Sequence, residues 1–411
     1  MKSFFKSYIH SFSGLSAEVW WLAWITLINR AGTMVIPFLS LYLTQSMGFD
    51  LKEVGWIMTS FGLGSLIGSW LGGKLTDRIG YYKVMVVSLL GSGLLFVLLQ
   101  FAEGFWMLAG GIFLVMLMAD LFRPAVFVAL SAYSKPENKT RSVTLIRLAI
   151  NLGFAFGPAA GGFIISQMSY SGLFWTDGLT CGIAGLLLLW RLNPKKARII
   201  DLHDEAANIS PYKDRQYLLF IAAMVLYGFI FLQYFSTIPI YYKEIHLLGE
   251  GSIGLIFGLN GLLIFVLEMP LIRYFETKPW SGLINTTIGC LLTLLSFLVL
   301  NLSTWTGMVI VGILLMSVGE MLVFPFSNAY ALKRSRRGKQ GAYMALYSIA
   351  FSLSHVFGHN AGMQTAGIFG YRNLWYALTI LGLVCCALLI RLYVVQKRSD
   401  KVLSTPEAVS Q

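Results

Sequence analysis

Charged residues are scarce in this chain: Asp, Glu, Lys and Arg make up only 12% of its 411 residues. A water-soluble domain carries roughly 25%, so the composition argues against a soluble globular protein. Cysteine is scarce as well. The four cysteines lie in apolar stretches with no spacing typical of a disulfide framework or a metal site. We therefore expect no bound metal and no cofactor.

Long apolar runs, in contrast, are abundant. Hydrophobic residues make up 56% of the chain, its mean hydropathy is +0.70, and runs of roughly 20 apolar residues, the length that crosses a bilayer core, recur throughout. The sequence therefore predicts an all-α integral membrane protein with about twelve transmembrane helices. These spans 1 to 12 cover residues 20–46, 53–75, 83–102, 105–132, 141–168, 171–192, 216–243, 251–275, 280–301, 304–332, 341–369 and 371–396.

The formal net charge of +12 is distributed unevenly along these spans. Twelve spans place both termini on one side of the membrane, and most Lys and Arg residues fall in the tails and loops of that side. The positive-inside rule makes this side cytoplasmic. We therefore attribute the basic loop Lys333–Lys339 to membrane orientation and expect no nucleic-acid partner.

Two related stretches indicate an internal duplication. Residues 153–162 read GFAFGPAAGG and residues 354–363 read SHVFGHNAGM, so that four residues of the first recur 201 positions later. Pro124 falls on Pro325 at the same offset. In a membrane protein, duplicated halves indicate a central pathway between units that rock against each other, as in secondary transporters.

The polar segment between spans 6 and 7 contains two prolines and mixed charge, and reads as a linker. The predicted organisation is a six-helix bundle over residues 1–192, a cytoplasmic linker over 193–215, and a second six-helix bundle over 216–411.

The loop between spans 2 and 3 carries the first family motif. Gly73, Asp77, Arg78 and Gly80 fit the loop signature G-x-x-x-D-R-x-G-R-R/K of the major facilitator superfamily, which this stretch resembles. The next two positions, which are usually basic in the family, are tyrosines here. Gly73 and Asp77 share one helix face, where glycine permits a close helix contact. Asp77 could then face the positive N-terminus of a neighbouring helix. We interpret these four residues as a cytoplasmic gate.

Span 5 carries a second motif, G-x-x-x-G-P-x-x-G-G, formed by Gly153, Gly157, Pro158, Gly161 and Gly162. Small residues four apart let two helices meet backbone to backbone, and the proline adds a kink. The pattern resembles the antiporter signature of the same superfamily, which is typical of its drug:proton antiporters. Generic helix packing is the alternative explanation.

The resemblance implies the major facilitator fold: two pseudo-symmetric six-helix halves, both termini cytoplasmic, with spans 1, 4, 7 and 10 around a central cavity. It covers essentially the whole chain. One departure limits it, because the family often places an arginine early in span 4 and residues 105–119 carry no charge.

Four ionisable residues, Arg30, Asp120, Arg147 and Glu320, lie between the predicted midplane and the inner leaflet, and we expect them to line the cavity. Buried charges are costly in a membrane, so each is a functional candidate. We expect Asp120 to pair with Arg30 or Arg147. Glu320 is the first candidate for proton coupling and Asp120 the second. A purely structural ion pair and a hydrogen-bonded acid are the alternative.

Other residues inside the spans suggest weaker hypotheses. Tyr42 and Tyr234 could line a cavity for apolar or aromatic substrates. His355 and His359 share a helix face, where they could bind a metal or relay protons. No third metal ligand is evident, and helix packing is the favoured interpretation. Asp177 is expected near the outer membrane interface.

The leading functional hypothesis is proton-coupled export, by antiport, of small amphipathic molecules or drugs by a monomer in a bacterial inner membrane. Its partners would be the substrate, protons and the lipid bilayer. Proton-coupled uptake of a charged or zwitterionic solute, such as a small peptide or organic acid, is the alternative. No nucleophile–base constellation or nucleotide loop suggests an enzyme, and a duplicated chain suits alternating access better than a channel.

Overall fold

The computed structural model describes residues 14–135, 138–195, 209–278, 281–335 and 340–404, and all regular elements within them are helices. In chain order these are α1 (Ala17–Ala31), α2 (Val35–Leu41), α3 (Leu51–Ile79), α4 (Tyr81–Leu99), α5 (Phe105–Asp120), α6 (Phe122–Tyr133), α7 (Lys139–Met168), α8 (Ser171–Arg191), α9 (Arg215–Phe231), α10 (Thr237–Glu244), α11 (Glu250–Glu276), α12 (Gly282–Leu300), α13 (Gly307–Ser335) and α14 (Gln340–Ser404), with short π and 3₁₀ turns after α2 and α9.

Eleven helical segments of the described residues are long and apolar enough to cross a membrane. The last, Ala342–Arg398, has 57 residues. As one straight helix it would measure about 86 Å, nearly three times the roughly 30 Å of a bilayer core. Gly370 within it has φ 78° and ψ 165°, a conformation essentially restricted to glycine. The predicted division between spans 11 and 12 falls at this residue, and the count of twelve stays a prediction.

The surface of the protein is rich in large apolar side chains. Phe101, Trp106, Trp190 and Trp305 are each more than 60% exposed. Such apolar surface is compatible with a lipid environment, and tryptophans are enriched where a bilayer meets water. The prediction of an all-α membrane protein is confirmed.

Spans 1 and 7 are each broken into two helices. Helices α1 and α2 are separated by Gly32–Met34, and α9 and α10 by a 3₁₀ turn at Leu232–Phe235. Pro37 and Pro239 each occupy the third position of the second helix. A proline in the first turn removes no helical hydrogen bond, so it favours a new helix start over a continuous helix.

Span 4 is interrupted at Leu121, between α5 and α6. Pro124 lies four residues after Asp120, so it cannot donate to the Asp120 carbonyl and its ring crowds that carbonyl. The interruption therefore follows from the proline, and it leaves Asp120 at the C-terminal end of α5.

The chain divides into two compact units. The first takes its described residues from Met1–Leu202, Tyr234–Phe265 and His359–Gln364, and the second from His203–Gln233, Val266–Gly358 and Thr365–Gln411. The apolar core of the first unit is built largely from α1, α4, α6, α7 and α8. The predicted bundles 1–192 and 216–411, with the linker 193–215, stay a prediction.

Candidate functional site

Asp120 is a buried carboxylate in the middle of span 4, with a relative exposure of 4%. The Ser65 hydroxyl of α3 donates a hydrogen bond to its Oδ2. Its ion-pair partner is Arg123, whose Nη2 lies 3.5 Å from Oδ1. The pair therefore forms within span 4 and not, as the sequence suggested, with Arg30 or Arg147. The two partners are three residues apart, about one helical turn.

Arg30 lies at the end of α1, beside this pair. Its guanidinium carbon is 6.0 Å from the centre of the Phe154 ring on α7, and it interacts electrostatically with both Asp120 and Arg123. Two cations and one anion thus gather where spans 1, 4 and 5 meet. Arg147 lies on an exposed face of α7. Of the four charges predicted to line the cavity, Arg30 and Asp120 are the two that lie together here.

Asp177 is placed differently from the sequence-based expectation. It is fully buried on α8, not at the membrane interface. Its carboxylate accepts hydrogen bonds from the backbone N–H of Met34, at 3.0 and 3.1 Å, and of Val35, at 2.9 Å. Because a helix N-terminus leaves such N–H groups unsatisfied and carries a partial positive charge, Asp177 stabilises the restart of span 1 at α2.

Glu320 lies half-buried on α13. The buried phenol of Tyr227 on α9 interacts electrostatically with it. Glu320 precedes Pro325 by five residues, and Asp120 precedes Pro124 by four. Spans 4 and 10, two of the four central spans, therefore each place an acid about one turn before a proline.

The two tyrosines predicted to line a cavity are both buried. Tyr42 has a relative exposure of 7% and Tyr234 of 1%. The ring of Tyr42 packs 5.7 Å from that of Tyr170 and 5.0 Å from that of Phe174, centre to centre. In this arrangement both side chains contribute to packing, and contact with a substrate stays a prediction.

The residues of the gate motif at the end of α3 are largely exposed. A Cβ added at Gly73 would meet nothing within 4 Å, so the close contact expected there is absent. Asp77 and Arg78 are exposed, and within the described part of the chain no hydrogen bond or ion pair joins Asp77 to a neighbouring helix. Gly80 has φ 86° and ψ 147° and separates α3 from α4, a turn that needs glycine.

The close contact of span 2 uses a different set of glycines. A Cβ at Gly64, Gly68 or Gly72 would collide with the backbone of span 4, for instance with the Leu121 carbonyl oxygen at 2.8 Å from Gly72. The sequence signal was present, because these glycines are spaced by four. They hold α3 against α5, and this contact brings Ser65 to Asp120.

The glycines of the span 5 motif serve two neighbours. A Cβ at Gly153 would lie 2.5 Å from the Arg30 Cβ, and one at Gly157 would lie 3.2 Å from the Ala31 carbonyl oxygen. Gly162 instead faces α11, where its neighbours are the backbone of Glu250 and Gly254. The motif therefore allows α7 to approach span 1 and span 8 at once, which supports the predicted packing role.

Span 8 carries a complementary glycine row that the sequence analysis did not single out. Gly254 approaches the Pro158 carbonyl and Gly162, and Gly261 approaches the backbone of Phe154 and Ala155. Because no side chain separates the two helices at these points, α7 and α11 touch backbone to backbone. Any relative movement of the two helices must slide along or open this contact.

Residues of spans 2 and 11 contact each other within the first unit. The Asn360 amide donates to the Thr59 hydroxyl at 2.9 Å, and the Gln364 amide donates to the Lys52 carbonyl at 3.1 Å. His359 is 1% exposed, and its ring packs edge-on against that of Phe61. The described residues contain no group of three or more potential metal ligands.

Asp214 and Arg334 form a buried ion pair in the second unit that the sequence did not reveal. Arg334 Nε and Nη2 donate to the two Asp214 carboxylate oxygens, both at 2.7 Å. The Tyr343 hydroxyl donates to Oδ2 at 3.1 Å. Asp214 Oδ1 also accepts from the backbone N–H of Tyr217 and caps α9. We refer to Asp214, Arg334 and Tyr343 as the clasp.

The charge state of the clasp follows from these contacts. Burial alone would raise the pKa of Asp214, but the hydrogen bonds and the charge of Arg334 outweigh burial and hold that pKa below its ordinary value. The carboxylate is therefore ionised at neutral pH. It joins the start of span 7, the end of span 10 and the start of span 11.

A polytopic helical membrane protein with broken central spans, acids inside those spans and glycine-lined helix contacts has the architecture of a secondary transporter. The family model described as Major Facilitator Superfamily matches residues 20–359. The chain belongs to this superfamily of transporters, and the family predicted from the sequence is confirmed.

Relatives are similar over most of their length. The uncharacterized MFS-type transporter YqjV of Bacillus subtilis is 26% identical over 367 residues, covering 87% of this chain and 88% of the relative. The Na(+), Li(+), K(+)/H(+) antiporter of Planococcus maritimus is 21% identical, covering 80% and 84%. The multidrug resistance protein MdtH of Edwardsiella ictaluri is 22% identical, covering 87% and 89%.

Solved structures agree on the fold. A POT family transporter in complex with a thioalcohol conjugated peptide superimposes with a TM-score of 0.77 at 14% identity, over 94% of this chain and 99% of that one. A bacterial homolog of the human lysosomal transporter Spinster gives a TM-score of 0.73 at 11% identity, over 91% and 96%.

Proposed function

We propose that this protein is a proton-coupled secondary transporter that exports small amphipathic molecules by antiport through alternating access. The observation that carries the proposal is the pair of acids inside the central spans. Asp120 and Glu320 each lie about one turn before a proline. An ionisable group inside a membrane span is costly to keep, so it is a functional candidate by default.

Glu320 is the proposed proton carrier. A half-buried carboxyl beside the buried phenol of Tyr227 can exchange its proton when the surroundings change from water-filled to closed. Asp120 is the second candidate, because its carboxylate is already engaged by Arg123 and by the Ser65 hydroxyl. In the proposed cycle Glu320 is protonated from outside and releases its proton inside, while substrate travels outward.

Two observations support the direction of export. The glycine–proline segment of α7 resembles the antiporter signature, which is typical of drug:proton antiporters. Two relatives carry names that specify antiport or multidrug resistance. The proposed compartment is a bacterial inner membrane and the proposed working unit a monomer of two six-helix bundles.

The alternative function is proton-coupled uptake of a charged or zwitterionic solute. It is favoured by Arg30, a guanidinium on span 1 beside Asp120 and Arg123, because guanidinium is suited to bind a carboxylate. The two functions differ in the relative direction of substrate and proton, which a single assay resolves.

The assay uses proteoliposomes that contain a pH-sensitive dye and are given candidate drugs, peptides and organic acids. Proton movement opposite to the substrate supports antiport, and movement in the same direction supports the alternative. Replacing Glu320→Gln should abolish substrate-induced proton flux, because the neutral amide binds no proton in this pH range. Glu276→Gln, at the exposed end of α11, is the matched control and should leave the flux unchanged. Full proton-driven transport by Glu320→Gln would contradict its role.

A further inference from the structure

A small cavity lies at the predicted cytoplasmic end of the second unit, between the end of α13 and the last part of α14. It is lined by Tyr330, Lys333, Arg334 and Gln396 and has a volume of about 80 Å³. Since one water occupies roughly 30 Å³ of the liquid, the space admits two or three waters or one small oxyanion. All four lining residues carry a polar group that can donate a hydrogen bond.

Arg334 contributes donors that the clasp does not use. A guanidinium has five N–H groups, and Asp214 accepts from two of them, on Nε and Nη2. The other three have no acceptor among the described residues, although Arg334 is only 7% exposed. These N–H groups can donate to a ligand oxygen in the cavity that Arg334 lines.

Lys333 and Gln396 complete the lining. Lys333 is exposed and Gln396 half-buried, and within the described ranges neither side chain forms a hydrogen bond or an ion pair. The two therefore offer an ammonium and an amide N–H to the same space. The convergence of ammonium, guanidinium and amide donors is the pattern of an oxyanion site.

The charged side chains around the cavity are mostly positive. Asp214 neutralises Arg334, which leaves the positive charge of Lys333, and the neighbouring turns of α14 add Arg391, Lys397 and Arg398, all exposed. A basic pocket between helices on the cytoplasmic side matches the level of anionic lipid headgroups. An anion is therefore favoured in the cavity over a neutral or cationic ligand.

We propose that the cavity formed by Tyr330, Lys333, Arg334 and Gln396 binds a phosphate group, carried by an anionic membrane phospholipid or free in the cytoplasm. The phosphate oxygens accept from Lys333, from the unused Arg334 N–H groups and from Gln396. Because Arg334 belongs to the clasp, a bound phosphate lies next to the junction of spans 7, 10 and 11. The proposal does not depend on the direction of transport.

Native mass spectrometry of the full-length protein, with phosphatidylglycerol added to the detergent-purified sample, tests the site. Diacylglycerol with the same acyl chains lacks phosphate and is the lipid control. We expect one retained phosphatidylglycerol per protein, no retained diacylglycerol, and about a fivefold loss of occupancy in Lys333→Gln, since a basic residue near such a surface contributes roughly that factor. Gln396→Leu should weaken the adduct as well.

Lys135→Gln is the matched control variant. Lys135 is exposed and follows span 4 as Lys333 ends span 10, so the substitution removes the same charge from the same predicted side of the membrane. It should leave the adduct unchanged. Equal occupancy in wild type and Lys333→Gln, or an equal loss in Lys135→Gln, would overturn the site. The melting temperature of each variant verifies that it is folded.

A parallel arm with inorganic phosphate distinguishes the two sources. If millimolar phosphate displaces the lipid adduct and raises the melting temperature of wild type but not of Lys333→Gln, compared with chloride at equal ionic strength, the ligand is free phosphate. If only the lipid adduct depends on Lys333, the ligand is a headgroup. If neither depends on Lys333, the proposal is wrong.

Discussion

Replacing Asp214→Asn tests whether the clasp stabilises the second unit. The substitution keeps a side-chain acceptor for the Tyr217 N–H at the start of α9 but removes the negative charge that binds Arg334 through two hydrogen bonds of 2.7 Å. Asp214 and Arg334 are 6% and 7% exposed. Breaking a buried ion pair by removing one partner costs about 3–5 kcal/mol, since the other charge remains buried.

The measurement is the melting temperature of the purified protein in detergent, followed by intrinsic tryptophan fluorescence. For a unit of about 170 residues, 1 kcal/mol corresponds to about 2–4 °C, so Asp214→Asn should lower the melting temperature by about 6–20 °C. Asp50→Asn is the matched control, because Asp50 also caps a helix and accepts from the Glu53 N–H at 2.8 Å. Asp50 is exposed, however, and forms no ion pair with any residue that the structure describes. Its shift should stay within about 2 °C. Equal shifts in the two variants would refute the reasoning.

The pH dependence of the stability difference between wild type and Asp214→Asn is a second test of the clasp. The pKa of Asp214 is lower in the folded protein than its ordinary value, which is about 3.9 in an unfolded chain. A lowered pKa contributes stability that is fully present above the unfolded value and is lost as the pH falls through the folded value. The difference between wild type and Asp214→Asn should therefore be constant from pH 5 to 8 and shrink below about pH 4. A difference that shrinks between pH 8 and 6 would contradict this assignment.

Two further pairs of substitutions test the helix contacts. Gly68→Ala should destabilise the protein by about 1–3 kcal/mol, because the new Cβ collides with the Leu117 backbone. In the control Gly73→Ala the new Cβ meets open space, so this substitution should be neutral or stabilising by up to about 1 kcal/mol. Thermal melting compares the two variants, and equal destabilisation would contradict the contact assigned to Gly68. Gly254→Ala should reduce the transport rate in proteoliposomes at least about tenfold, because a Cβ there intrudes on Pro158 and Gly162 and a misfit of about 1.4 kcal/mol suffices for that factor. The control is Gly251→Ala on the same helix, and it should transport normally because its Cβ would lie 3.9 Å from the Gly162 carbonyl oxygen. Unchanged transport by Gly254→Ala would show that the α7–α11 contact is not rate-determining.

The sequence alone determined the class of this protein, because the length and apolarity of its runs are set by the thickness of a bilayer and do not depend on how the helices pack. The sequence also determined where the helices break, because these breaks depend on local residues. Pro37, Pro124 and Pro239 act on the turn in which they lie, and the loop and glycine motifs were sufficient to suggest the superfamily.

Only the tertiary structure decided which side chains meet. The sequence placed Asp120 near the right helices but with the wrong partners, and it placed Asp177 at an interface although the residue is fully buried under α2. It selected Gly73 where the contact passes through Gly72. A helix that is apolar on all sides has no polar stripe to reveal which face it buries, so its rotation about its own axis is fixed by packing.

The clasp shows the same limit over a longer distance. Asp214 and Arg334 are separated by 120 residues, and each occurs in a polar or basic segment where the sequence suggests only exposure to water. Their pairing depends on the start of span 7 and the end of span 10 lying side by side. Contacts between remote segments are set by the packing of all the helices together, and no local pattern of residues records them.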